Sequence, residues 1–99
     1  MTSHTMSPGP ATHQTIAVAS TAETVTMDVH YDAVEVINWD ATNKLYFTVN
    51  ALVPTVAGDG TYVVGPGDAL VVAEEETNIA AVQLISAGTV AYTVTGLKL

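Results

Sequence analysis

Lys44-Leu45-Tyr46-Phe47-Thr48-Val49-Asn50 is the stretch that decides the fold. Leu45, Phe47 and Val49 alternate with Lys44, Tyr46, Thr48 and Asn50. Period two is the mark of a strand with one face buried and the other wet. It predicts Phe47 inside and Tyr46 outside. The same alternation recurs on both sides of this run. Val25, Met27 and Val29 alternate with Thr24, Thr26 and Asp28, Val34 and Val36 flank Glu35, and Val90, Tyr92 and Val94 alternate with Ala91, Thr93 and Thr95. Ile16 and Val18 alternate with Ala17 and Ala19, and shorter apolar runs lie at Thr61–Val64, Ala69–Ala73 and Ala80–Ile85. Together they predict about eight short strands separated by turns, the pattern of a sandwich or barrel.

The turns have their own chemistry. Asn38-Trp39-Asp40-Ala41-Thr42-Asn43, Gly58-Asp59-Gly60, Gly65-Pro66-Gly67-Asp68 and Ser86-Ala87-Gly88 supply residues that tolerate positive φ or fix it near −65°. No connector has room for a helical crossover, so sequential antiparallel pairing is expected. A helix would fit only near Glu74–Ala81, where the run Glu74-Glu75-Glu76 followed by Thr77-Asn78 reads better as an acidic loop. The expected fold is a single all-β antiparallel sandwich, Ig-like or jelly-roll-like, over residues 15–99. Residues 1–14 carry Pro8 and Pro10, do not alternate, and read as an extended N-terminal arm. Such an arm either lies on a neighbouring subunit or forms a plain tail.

Composition narrows the function. The chain has 99 residues and a mass of 10.3 kDa, enough for one domain. Thr, Val and Ala contribute 15, 15 and 14 residues, a mix that suits pleated surfaces better than surface helices. Ten acids against two lysines and no arginine give a formal charge of −8. Contacts to phosphates that release counterions are almost unavailable, which argues against nucleic acid and against anionic membrane surfaces. Cysteine is absent, so disulfides, thiolate catalysis and Cys-type zinc sites are excluded. Residues 1–14 have neither a basic nor an apolar signal-peptide segment, and no apolar run reaches membrane-spanning length.

Few residues suggest chemistry. His4 and His13 lie in the expected arm, and His30 sits beside Tyr31 and Asp32 at a strand end. Ser86 lies in a turn, so no nucleophile–base–acid set assembles from spacing alone. Asp59, Asp68 and Glu74–Glu76 could offer oxygens to a divalent ion, but they lack a calcium-loop pattern and read as solvated loops. No enzyme activity, cofactor or metal is expected. Trp39 in its Asn-Trp-Asp turn predicts either a lid on the sandwich end or an interface anchor. Tyr46, out of phase with the core, joins Trp39, Pro8 and Pro10 as a candidate interface residue. The outward positions Thr24, Thr26, Thr48, Thr93, Thr95, Ala17, Ala81 and Ala91 are small and uncharged, which suits packing against identical subunits or a larger lattice.

Val34-Glu35-Val36-Ile37-Asn38-Trp39-Asp40, Leu45–Val49, Pro54–Val64, Val82–Gly88 and Ala91–Gly96 together resemble small virion proteins of tailed bacteriophages. The resemblance spans roughly residues 23–97 and carries no site motif. It implies a β-sandwich that decorates the head and binds the major capsid protein as a homo-oligomer, with a trimer favoured. That chain would be assembled in the host cytoplasm and located in the virion. A tail or neck component is the alternative within that class. A carbohydrate-binding or adhesin-like module using Trp39, Tyr46 and Tyr62 is the alternative outside it.

Overall fold

The computed structural model describes residues 2–6, 10–50, 52–73 and 78–98. Among these described residues nine strands form: β1 (Ser3–Thr5), β2 (Ala11–Thr15), β3 (Glu23–Tyr31), β4 (Ala33–Asn38), β5 (Leu45–Val49), β6 (Tyr62–Val64), β7 (Ala69–Ala73), β8 (Ile79–Ile85) and β9 (Ala91–Leu97). They build two sheets of order β1-β3-β8-β5-β6 and β2-β9-β4-β7. The fold is an all-β sandwich, as the alternation predicted.

The pairing is not sequential. β5 pairs with β6, β4 with β7, β3 with β8 and β2 with β9, all antiparallel. The chain from β2 to β9 is therefore one long ribbon folded at the β5–β6 hairpin. Successive rungs of the ribbon fall in alternate sheets, and the β4–β9 and β5–β8 pairings stitch it into two layers. This is the jelly-roll order, two interleaved Greek keys. Among the described strands, only β5 and β6 are consecutive and paired, which corrects the expectation of sequential hairpins. Short connectors allow such crossings because the two sheets lie only about 10 Å apart. The Gly65–Asp68 reversal illustrates this. The Asp68 N–H donates to the Gly65 carbonyl at 3.0 Å and Gly67 takes φ 73°, a type II turn, yet it joins β6 of one sheet to β7 of the other.

Where they are described, the residues of the expected arm carry two strands. β2 runs antiparallel to β9 from Ala11↔Thr95 to Thr15↔Ala91, and β1 lies parallel to β3 from Ser3↔Thr24 to Thr5↔Thr26. Met6, 1% exposed, sits in the hydrophobic core. Ser3–Thr5 and Ala11–Thr15 thus supply an edge strand to each sheet. The β1–β3 pair is the parallel exception to an otherwise antiparallel sandwich. Residues 16–19 do not form the expected strand. Ile16 is buried after β2 ends, whereas Val18 is exposed beside the turn in which Ser20 takes φ 59°.

In β5 Leu45 and Phe47 are fully buried and Tyr46 half-buried, as expected, whereas the outward Thr48 is buried too, bonded to the Leu52 carbonyl of the hairpin loop, and Val49 is only half-buried. Tyr92, Val94, Val34, Val36, Val25, Val82 and Leu84 complete it from both sheets. Val29 departs from the pattern and is 50% exposed, because the β3–β8 register shifts between Thr26 and Tyr31. The shift moves Val29 off the inner face. Glu74–Glu76 lie outside the described residues.

Candidate functional site

Trp39 is the residue from which a site is best built. It follows β4 at the end of the four-stranded sheet, and its N–H donates to the Ala91 carbonyl at 3.0 Å. The loop behind it is set by Asn38, which is fully buried. Its Nδ2 donates to the Asn43 and Val64 carbonyls at 2.8 and 3.0 Å, and its Oδ1 accepts the Asp40 N–H at 2.9 Å. The Asp40 carboxylate then accepts the Asn43 and Thr42 N–H groups at 2.6 and 3.0 Å. Those bonds, from Asn43 first and Thr42 second, hold the Asp40 carboxyl below its ordinary range. The turn that carries Trp39 is therefore pinned by side chains on both flanks.

The indole is pinned too. Its Nε1 donates to Thr93 Oγ1 at 2.8 Å, while the ring stays 62% exposed. His13 Nδ1 lies 2.6 Å from the same hydroxyl oxygen. His13 and Thr93 are register partners on β2 and β9, so they share the outer face of the sheet. Indole N–H can only donate, so Thr93 Oγ1 accepts from Trp39 and meets His13 Nδ1 with its remaining hydrogen-bonding capacity. Gln14 and Thr12, the register partners of Tyr92 and Val94, alternate with His13 along β2 and lie on its other face, where Gln14 Nε2 donates to Thr12 Oγ1 at 3.0 Å. Trp39, His13, Gln14, Thr15, Ala91 and Tyr92 line a shallow open groove of about 470 Å³.

The other candidate interface residues lie elsewhere. Tyr46 is on the five-stranded sheet, opposite Val63 in the β5–β6 ladder, so it does not share a surface with Trp39. Tyr62 packs its ring on Phe47 at a centroid separation of 5.3 Å, at the edge of that same sheet. The expected sugar platform of Trp39, Tyr46 and Tyr62 is therefore not assembled. Pro10 is exposed, with its carbonyl accepting the Gly96 N–H at 2.7 Å, and Pro8 lies outside the described residues. Val63, opposite Tyr46 in the ladder, is exposed as well. Leu52, Val53, Val56, Tyr62 and Val63 all lie exposed on the β5–β6 hairpin. The hairpin loop folds back over the outer face of its sheet, where Thr48 Oγ1 donates to the Leu52 carbonyl and Gln83 Nε2 donates to the Asn50 carbonyl at 2.9 Å.

The alternation alone did not single out Glu23. It is 1% exposed and receives three bonds: His4 Nε2 at 3.0 Å, the Tyr92 hydroxyl at 3.0 Å and the Ala17 N–H at 2.6 Å. Burial first, then the Glu23 charge, pushes the Tyr92 phenol well above its ordinary range. The signal was present, because Glu23 is in phase with Val25 and Met27 on the inner face of β3. The cluster joins β1, β3 and β9 and is closed to solvent on the carboxylate side, which makes it a clasp. His30 is exposed on β3, and Ser86 is buried with its Oγ donating to the Lys44 carbonyl at 2.7 Å. Among the described residues, no group of three His, Cys, Asp or Glu side chains is placed to hold a metal ion, and no helix is long and apolar enough to cross a membrane. Compared with protein-family models, curated proteins and solved structures, the chain matches none.

Proposed function

We propose that the chain is a non-enzymatic virion structural protein that decorates the head of a tailed bacteriophage. In this reading it binds the major capsid protein on the outer shell and associates with copies of itself, as a trimer. The observation that carries the reading is the β5–β6 hairpin, where Leu52, Val53, Val56, Tyr62 and Val63 stand exposed. Tyr46 and Val63, side by side across the ladder, continue that surface onto the outer face of the sheet. A lone soluble domain seldom leaves so many large apolar side chains of one hairpin in water, and burying them on a shell contributes about 25 cal/mol per Å². The resemblance over residues 23–97 supplies the class of partner. The acidic charge is compatible with the outside of a particle and not with contact to packaged nucleic acid.

The test is co-sedimentation of the purified chain with undecorated heads of the phage that encodes it. Wild type is expected to pellet with the heads, and the double variant L52D/V63D, with unchanged circular dichroism, to stay in the supernatant. Wild type remaining in the supernatant at every concentration overturns the reading. Binding to purified tails and not to heads replaces decoration with a tail role.

A further inference from the structure

We infer that the groove beside Trp39 is a binding site for a neutral saccharide ring. The inference stands apart from the assembly reading, because the groove lies on the four-stranded sheet and the apolar hairpin on the other. Three features carry it. First, Trp39 is a fixed plate: backbone and indole nitrogens are both bonded to β9, yet the ring is 62% exposed. An indole held this way loses little side-chain freedom when a ligand stacks on it, and its electron-rich face attracts the polarised C–H groups of a pyranose. Second, His13 stands on the same outer face, with Nδ1 at the Thr93 bridge. Its Nε2 is the ring nitrogen outside that bridge, and a sugar hydroxyl, which both gives and takes a hydrogen bond, can meet it in either tautomer. Third, the groove is shallow and open, about 470 Å³, so it suits one face of a ring or a chain end better than an engulfed ligand. The net charge of −8 selects against sulfated, phosphorylated or sialylated sugars.

Trp39 is the chain's one tryptophan, so its emission reports directly on the groove. The full chain is titrated with glucose, galactose, N-acetylglucosamine and their disaccharides, with choline as a cationic probe of the indole face. At least one neutral saccharide is expected to give a saturable emission change with a Kd of about 1 mM, a weak single-ring affinity. The H13A variant, with its circular dichroism unchanged at the assay temperature, is expected to raise that Kd roughly tenfold, as loss of one hydrogen bond would. W39A, read by calorimetry with the same saccharide, is expected to abolish binding. No saturable change with any neutral sugar up to about 100 mM, a Kd unaltered by H13A, or saturation by choline alone would each overturn the assignment.

Discussion

Glu23 shows how one residue can be legible in pattern and still be missed in meaning. Its phase on β3 puts it inside, but a sequence does not tell which donors will meet it. The Tyr92 hydroxyl comes from the far end of the chain, the Ala17 N–H from the irregular segment just before β3, and His4 from a stretch without alternation. A buried carboxylate is tolerated only when its oxygens are fully bonded. E23Q keeps the shape but turns an acceptor into an amide donor facing N–H or O–H groups, so it should cost about 1–3 kcal/mol. Urea unfolding at pH 7 measures this, and an unchanged midpoint would show that the clasp contributes nothing. The same cluster sets an alkaline limit. The Tyr92 phenol is held protonated in the fold at pH values where the unfolded chain ionises its tyrosines, near pH 10. A raised folded-state pKa gives stability that is intact below the unfolded value and is lost as pH rises past it. The Asp28 hydrogen bond to Tyr31 pushes that phenol in the same direction. Wild-type stability should therefore fall steeply above about pH 10. Y92F should be less stable at pH 7, having lost a bond to a charged group, and should fall less steeply. Equal slopes would place the alkaline sensitivity elsewhere.

At the scale of elements, the strands with strict alternation were readable and the edges were not. β5 and most of β9 stand where the alternation put them, because each turns one face to the core, and β7 stands where a short apolar run marked it. β1 and β2 lacked a pattern because an edge strand of three or five residues buries few side chains. Their positions are fixed by ladder bonds to β3 and β9 and by Met6. Strand order was unreadable for a related reason. Period two says which side of a strand is inside but not which partner lies next to it. The groove was half readable. Trp39 stood out, but His13 reached it only through the β2–β9 register, which spans nearly the whole chain. This changes what truncation should do. An arm resting on the surface could be removed without harm, but deleting residues 1–14 here strips an edge from each sheet and empties the Met6 site. M6A alone should cost about 2–5 kcal/mol, the range for a buried large-to-small change. The deletion should cost more, and both are read by thermal melting of the isolated chain. A deletion variant that melts like wild type would mean that β1 and β2 add no stability to the sandwich.

At the scale of the whole molecule, charge and size act together. The body measures 31 × 27 × 24 Å, and ten acids share it with only two lysines. Two cations cannot neutralise ten carboxylates, so the average interaction between charges is repulsive. At about 0.01 M salt the screening length is about 30 Å, comparable to the molecule itself, so carboxylates on opposite sides repel each other. At about 1 M it is about 3 Å, and only neighbours in contact interact. Unfolding moves the charges apart, so repulsion favours the unfolded chain and screening removes that bias. The melting temperature should therefore rise with sodium chloride at pH 7. Each 1 kcal/mol recovered should raise it by about 4–8 °C in a domain of this size. Screening and salting-out can be separated by the shape of the curve. Screening is nearly complete once the Debye length falls below about 8 Å, near 0.15 M, whereas exclusion of salt from apolar surface keeps growing with concentration. Most of the rise should arrive before that point. A melting temperature that falls with salt would mean that specific ion pairs, the His4–Glu23 clasp foremost, outweigh the repulsion among the remaining acids.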